Sequence, residues 1–111
     1  MDDAILVHTT TATAENARTI ARSLVAERLA ACVQIHPIES FYRWNGSVQT
    51  DTEFALQCKT VRSRYDAVAA CIRRHHAYEL PEIVVAAIAG GSKEYLAWIE
   101  ESVSSTAAPL S

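Results

Sequence analysis

Across residues 30–60, apolar and polar side chains alternate on either side of Trp44-Asn45-Gly46-Ser47. Asn-Gly between β-rich runs predicts a two-residue hairpin loop, because a type I′ turn needs φ > 0 at both central residues. With Trp44 opposite Ser47, counting outward sets Val33, Ile35, Pro37 and Phe41 against Cys58, Leu56, Phe54 and Thr50, so both arms share an apolar face. The other face pairs Cys32 with Lys59, Gln34 with Gln57 and His36 with Ala55. Toward its tip come Ile38, Tyr42 and Trp44, with Asp51 and Gln49 across from them. Arms of about 14 residues span roughly 45 Å at ~3.3 Å per residue. A compact body of this length is only about 35 Å across. The hairpin is therefore expected to overhang, with Tyr42 and Trp44 on an outer face that awaits another chain.

The remaining pattern frames this hairpin. Residues 4–10 (AILVHTT) predict a first, central strand. Thr13 is placed to cap a helix with Glu15 in its first turn and Ala17, Ile20, Ala21, Leu24, Val25 and Leu29 on one face. After the hairpin, Val61, Tyr65, Val68, Ala69 and Ile72 predict a second helix over 62–76. Pro81 holds Leu80 extended. The continuous apolar run 83–89 (IVVAAIA) then reads as a strand covered on both faces. Gly90-Gly91 ends it, Ser92 caps, and Tyr95, Leu96, Ile99 and Val103 predict a third helix. Two βαβ halves sharing one antiparallel sheet make an α+β, ferredoxin-like split βαβ fold with the helices on one face, a long β-hairpin and an extra C-terminal helix. Residues 1–103 are expected to form a single domain, and 104–111 (SSTAAPLS, from Ser104) a flexible tail.

Composition narrows the class. The chain has 111 residues, half of them hydrophobic and 21% charged, with a formal net charge of −3. No basic footprint for nucleic acid or an anionic membrane is present, and no run approaches the ~20 apolar residues of a membrane span. Cys32, Cys58 and Cys71 are odd in number and include no CxxC pair, which argues for a reducing compartment. An acidic start (MDD) and a short apolar run do not read as a signal peptide, so a cytoplasmic location is expected. There is no GxSxG, HExxH or P-loop, and three glycines cannot build a phosphate cradle, so no enzyme activity and no organic cofactor are expected.

Five segments together resemble the CutA family of divalent-cation tolerance proteins: LAACV at 29–33, FYRWNG at 41–46, QCKT at 57–60, HAYELPEI at 76–83 and YLAWI at 95–99. They stand in that family's order and spacing over nearly the whole chain. One departure is Ala77, where members usually carry proline; without it the loop backbone is expected to be looser. The resemblance implies a ferredoxin-like homotrimer with a long hairpin and a role in tolerance of copper and other divalent metals.

Three groups of residues are candidates for that role. His75 and His76 close the second helix, and the topology brings its end to the same sheet edge as His8. Three imidazoles there would suit Cu(II) or another divalent transition metal better than Mg(II). In some CutA members a cysteine stands at the position of His8, and with the paired histidines it is associated with copper. Cations at a helix C-terminus are also simply favourable, by about 0.3–1 kcal/mol. Cys32, beside Lys59, is either a reactive thiol and further metal ligand or a small residue packed at an interface; Cys58 and Cys71 read as packing. Lys59, His76, Tyr78, Glu79, Glu82 and Trp44, with Cys32, form a third group. In the family the matching residues line inter-subunit clefts that look like a small-molecule pocket, and Trp44 would reach such a cleft only from a neighbouring chain. Salt bridges and rim contacts within the assembly account equally well for these residues.

The leading expectation is thus a non-catalytic, CutA-like trimer that binds divalent metal. The alternative is a small-molecule-sensing signalling trimer in the manner of the nitrogen-regulatory PII proteins. A hydrolase, as among acylphosphatases of the same fold, finds no arginine-bearing phosphate loop over residues 7–13.

Overall fold

The computed structural model describes residues 3–104. The elements are β1 (Ala4–Thr11), α1 (Ala14–Ala26), β2 (Cys32–Trp44), β3 (Ser47–Val61), a 3-10 turn (Arg62–Arg64), α2 (Tyr65–His75), β4 (Val84–Ala87) and α3 (Lys93–Ser102). The tail expected at 104–111 lies, apart from Ser104, outside the described residues. All strand pairs are antiparallel in the order β2-β3-β1-β4, the ferredoxin-like arrangement. Trp44 pairs with Ser47 and Cys32 with Lys59. Asn45 and Gly46 sit at φ 49° and 79°, as a type I′ turn demands.

Pleat alternation decides what each face does. Ile5 and Val7 of β1, with Leu56 and Cys58 of β3, point toward α1 and α2 and form the core with Ala17, Ile20, Leu24, Val68, Cys71 and Ile72. The helices start where their caps predict. Thr13 and Ser92 each accept a hydrogen bond three residues on, from the backbone N–H of Asn16 and Tyr95. The second helix is shorter than the expected 62–76, because its first turn is 3-10 and α2 proper ends at His75. α3 lies on the opposite sheet face from the other two helices, packing Ile99 and Val103 against Val61.

One expectation needs correcting. The run 83–89 is not a strand buried on both faces: β4 has four residues, all exposed, with Val84 52% exposed. It forms the outer edge of the sheet, paired only with β1, and its apolar side chains are left largely exposed. Phe41 faces the same side as Val33 and is 67% exposed, in keeping with the expected overhang, because the hairpin runs past the helices. The molecule measures 47 × 30 × 21 Å, and that long axis reflects the overhang.

Candidate functional site

Two regions gather chemistry-bearing side chains. The first is a groove of about 1070 Å³ between the hairpin tip and the segment that follows α2. Phe41, Tyr42, Trp44 and Tyr78 supply aromatic surface, and Asp51, Glu53, Glu79 and Glu82 supply carboxylates. Tyr42 donates to Asp51 across the hairpin. Tyr78 donates to Glu53 at 2.7 Å, and its ring lies 4.9 Å from that of His76. Burial, and then the neighbouring Glu53 carboxylate, hold the Tyr78 phenol well above its usual range. Trp44 lines this groove together with Tyr78, Glu79 and Glu82 of its own chain.

Cys32 and Lys59 do not join that groove. They face each other near the far end of the sheet, where the Lys59 ammonium donates to Tyr95 Oη at 3.0 Å and stands 5.1 Å from that ring's centroid. Donating this hydrogen bond to Tyr95 favours the charged ammonium and raises the Lys59 pKa.

The second region is the C-terminal end of α2. Asn16 of α1 clamps it: its side-chain N–H₂ donates to the His75 carbonyl at 2.9 Å and its Oδ1 accepts from Ala77 N–H at 3.2 Å. Helix ends leave such carbonyls without partners, and Asn16 satisfies one. The Ala77 bond is one that proline could not make, so this departure from the family pattern tethers the loop backbone where loosening was expected.

The three predicted imidazoles go to different partners. His8, on the sheet face away from α1 and α2, meets the Glu82 carboxylate at 3.2 Å. Both ring nitrogens of His76 are in use: Nδ1 accepts from Tyr78 N–H at 3.0 Å, which leaves Nε2–H to donate to the Thr10 carbonyl at 2.7 Å. His75 turns into the seam between α1 and α2, where Nε2 lies 3.1 Å from Ser23 Oγ. There it finds different company from that expected. Ligand atoms of Glu27, Cys71 and His75 lie within 4.8 Å of one another. The His8–His75–His76 triplet makes no such group, because the sheet separates His8 from the helix seam and His76 is spent on backbone contacts. Glu27 was not anticipated, and Cys71 was read as packing alone. The available signal was spacing: Ser23 and Glu27, like Cys71 and His75, are four apart on a helix and so share a face.

The topology, with α1 and α2 on one face of a split βαβ sheet and a hairpin projecting beyond it, defines a ferredoxin-like α+β protein. Within that class, the family described as CutA1 divalent ion tolerance protein matches residues 5–102, and the chain belongs to this family. It is 44% identical to the divalent-cation tolerance protein CutA of Thermus thermophilus over 103 residues, 92% of this chain and 98% of that one. It is 42% identical to the chloroplastic protein CutA 1 of Oryza sativa over 99 residues, 88% of this chain. The chain spans little more than half the length of the curated plant relatives it matches, 56% and 54%. Among solved structures, the periplasmic divalent cation tolerance protein CutA of Archaeoglobus fulgidus superposes with a TM-score of 0.88 at 38% identity, covering 91% of this chain and 99% of that one.

Proposed function

We propose that this protein binds a divalent transition-metal ion, Cu(II) or a similar borderline metal, and serves metal tolerance without catalysing a reaction. The observation that carries this reading is the meeting of imidazole, thiol and carboxylate at the end of α2. Nitrogen and sulfur donors favour transition metals over Mg(II) or Ca(II), which prefer oxygen. The working unit is a homotrimer in a reducing compartment such as the cytoplasm. In support, the hairpin tip and the β4 edge expose Phe41, Trp44 and Val84, and the three cysteines are unpaired.

Calorimetric titration of Cu(II), Zn(II) and Mg(II) into the purified protein tests the metal reading. Binding of the first two but not of Mg(II) is expected, with loss when His75 and His76 are both changed to Ala; His8→Ala and Cys32→Ser report the contribution of those candidates. Mg(II) binding as tight as that of Cu(II), or no binding at all, would overturn it. The aromatic, carboxylate-lined groove supports a second role, in which a small molecule is sensed as in PII proteins. A metabolite thermal-shift screen that raises the melting point only when Tyr78 is intact would favour that role.

A further inference from the structure

Metal binding as proposed above does not say which atoms hold the ion. We infer that Glu27, Cys71 and His75 form a Zn(II) site in the seam between α1 and α2, distinct from any set made by His8 and His76. This inference rests on the metal-binding reading and deepens it.

Two helical pairs face each other across the seam. Cys71 and His75 present Sγ and an imidazole nitrogen one turn apart on α2, while Ser23 and Glu27 stand one turn apart at the end of α1. Tetrahedral zinc, with bonds of about 2.0–2.3 Å, sets its ligands roughly 3.3–3.7 Å apart. The 4.8 Å envelope here must therefore close by about 1 Å. Glu27 can supply most of that movement, since it is exposed at a helix end. The Ser23 hydroxyl already bridges two of these groups, 2.8 Å from Glu27 Oε2 and 3.1 Å from His75 Nε2. Its single proton goes to Glu27, so His75 Nε2–H is the donor to it, and zinc would take the Nε2 position once the imidazole proton has moved to Nδ1. An outer ring is in place as well. Arg74 holds the Glu27 carboxylate at 3.3 Å, and Asn16 fixes the backbone of His75.

One thiolate, one imidazole and one carboxylate leave a fourth position open, which suits zinc and gives Mg(II) and Ca(II) too little oxygen. Packing alone would explain a buried Cys71, but it calls for neither an imidazole nor a carboxylate at the sulfur.

Co(II), followed by Zn(II) competition, tests this on the full chain under anaerobic, reducing conditions. Wild type should take up one Co(II) per chain and show a thiolate-to-cobalt charge-transfer band that Zn(II) abolishes. Cys71→Ser should remove the band while Cys32→Ser keeps it. Glu27→Gln, at an exposed position that leaves folding intact, should weaken Zn(II) binding by at least about tenfold. His8→Ala and His76→Ala should leave both readouts unchanged. A missing band, a band that survives Cys71→Ser, or unaltered Zn(II) affinity in Glu27→Gln would overturn the assignment. If binding is then lost in the His8 and His76 variants, the ion sits elsewhere and only this site fails. If neither Zn(II) nor Cu(II) binds wild type, the metal-binding reading fails with it.

Discussion

Cys58 makes the fold sensitive to alkali in a way that can be calculated. It lies mid-strand in β3, paired with Val7 and Val33, and is 0% exposed. Burial, reinforced by Cys71 and Cys32, pushes its thiol from an ordinary value of 9.0 up to about 12. The folded chain therefore keeps this proton when the unfolded chain has already released it. Stability is full below pH 9 and falls as pH rises from there toward 12, by about 1.4 kcal/mol per pH unit and about 4 kcal/mol in all. Cys58→Ala removes the titration but leaves a small cavity, which costs about 1 kcal/mol, as deleting one buried methylene does. Wild type should then be the more stable protein at pH 7.5, the two should be equal near pH 10, and the variant should be ahead at pH 11. Urea unfolding at equal chain concentration, with reductant present, measures both curves. Tyr78 adds its own alkaline slope, but it is present in both proteins and cancels in the difference. Parallel stability profiles across this range would refute the reasoning, because they would mean the thiol is not held protonated by burial.

Other outcomes follow from single contacts. Thr60→Val should lose about 1–3 kcal/mol in the same urea assay, because the buried Thr60 hydroxyl donates to the Leu29 carbonyl at 2.6 Å and valine leaves that acceptor unpaired. Asn45→Val with Gly46→Val should cost roughly 2–4 kcal/mol, from two residues forced into the left-handed region at about 1–2 kcal/mol each. Hydrogen exchange should show the loss at the hairpin tip first, and unchanged exchange there would rule out the turn geometry. Trp44→Asp should weaken self-association, seen by light scattering as a fall in mass on dilution that wild type does not show, because it places a charge on the exposed aromatic tip.

How far the sequence revealed this molecule depended on whether a signal was local. Asn45-Gly46 and the alternation around it predicted the turn and the register, because turn chemistry and pleat period act within a few residues, while the strand order followed from the succession of βαβ elements. Thr13 and Ser92 were legible as caps for the same reason. The apolar run of β4 misled, since apolarity reports what a strand needs to cover and not whether its own chain covers it. His8, His75 and His76 share one end of the fold, but topology places backbones and does not say which nitrogen a carbonyl or carboxylate claims. That Trp44 lines a groove with Tyr78 of its own chain is a long-range proximity with no signature in residue spacing. The i,i+4 pairing of Cys71 with His75 was present in the sequence, yet Glu27 enters only once α1 is packed on α2.

Native mass spectrometry with Zn(II) and Cu(II) addresses assembly and metal content together. On the full chain, the account predicts an ion of three times the single-chain mass that gains one metal per chain and keeps none after Glu27, Cys71 and His75 are replaced by Gln, Ser and Ala. A monomer that takes up no metal, measured under conditions where the protein is folded, would contradict it.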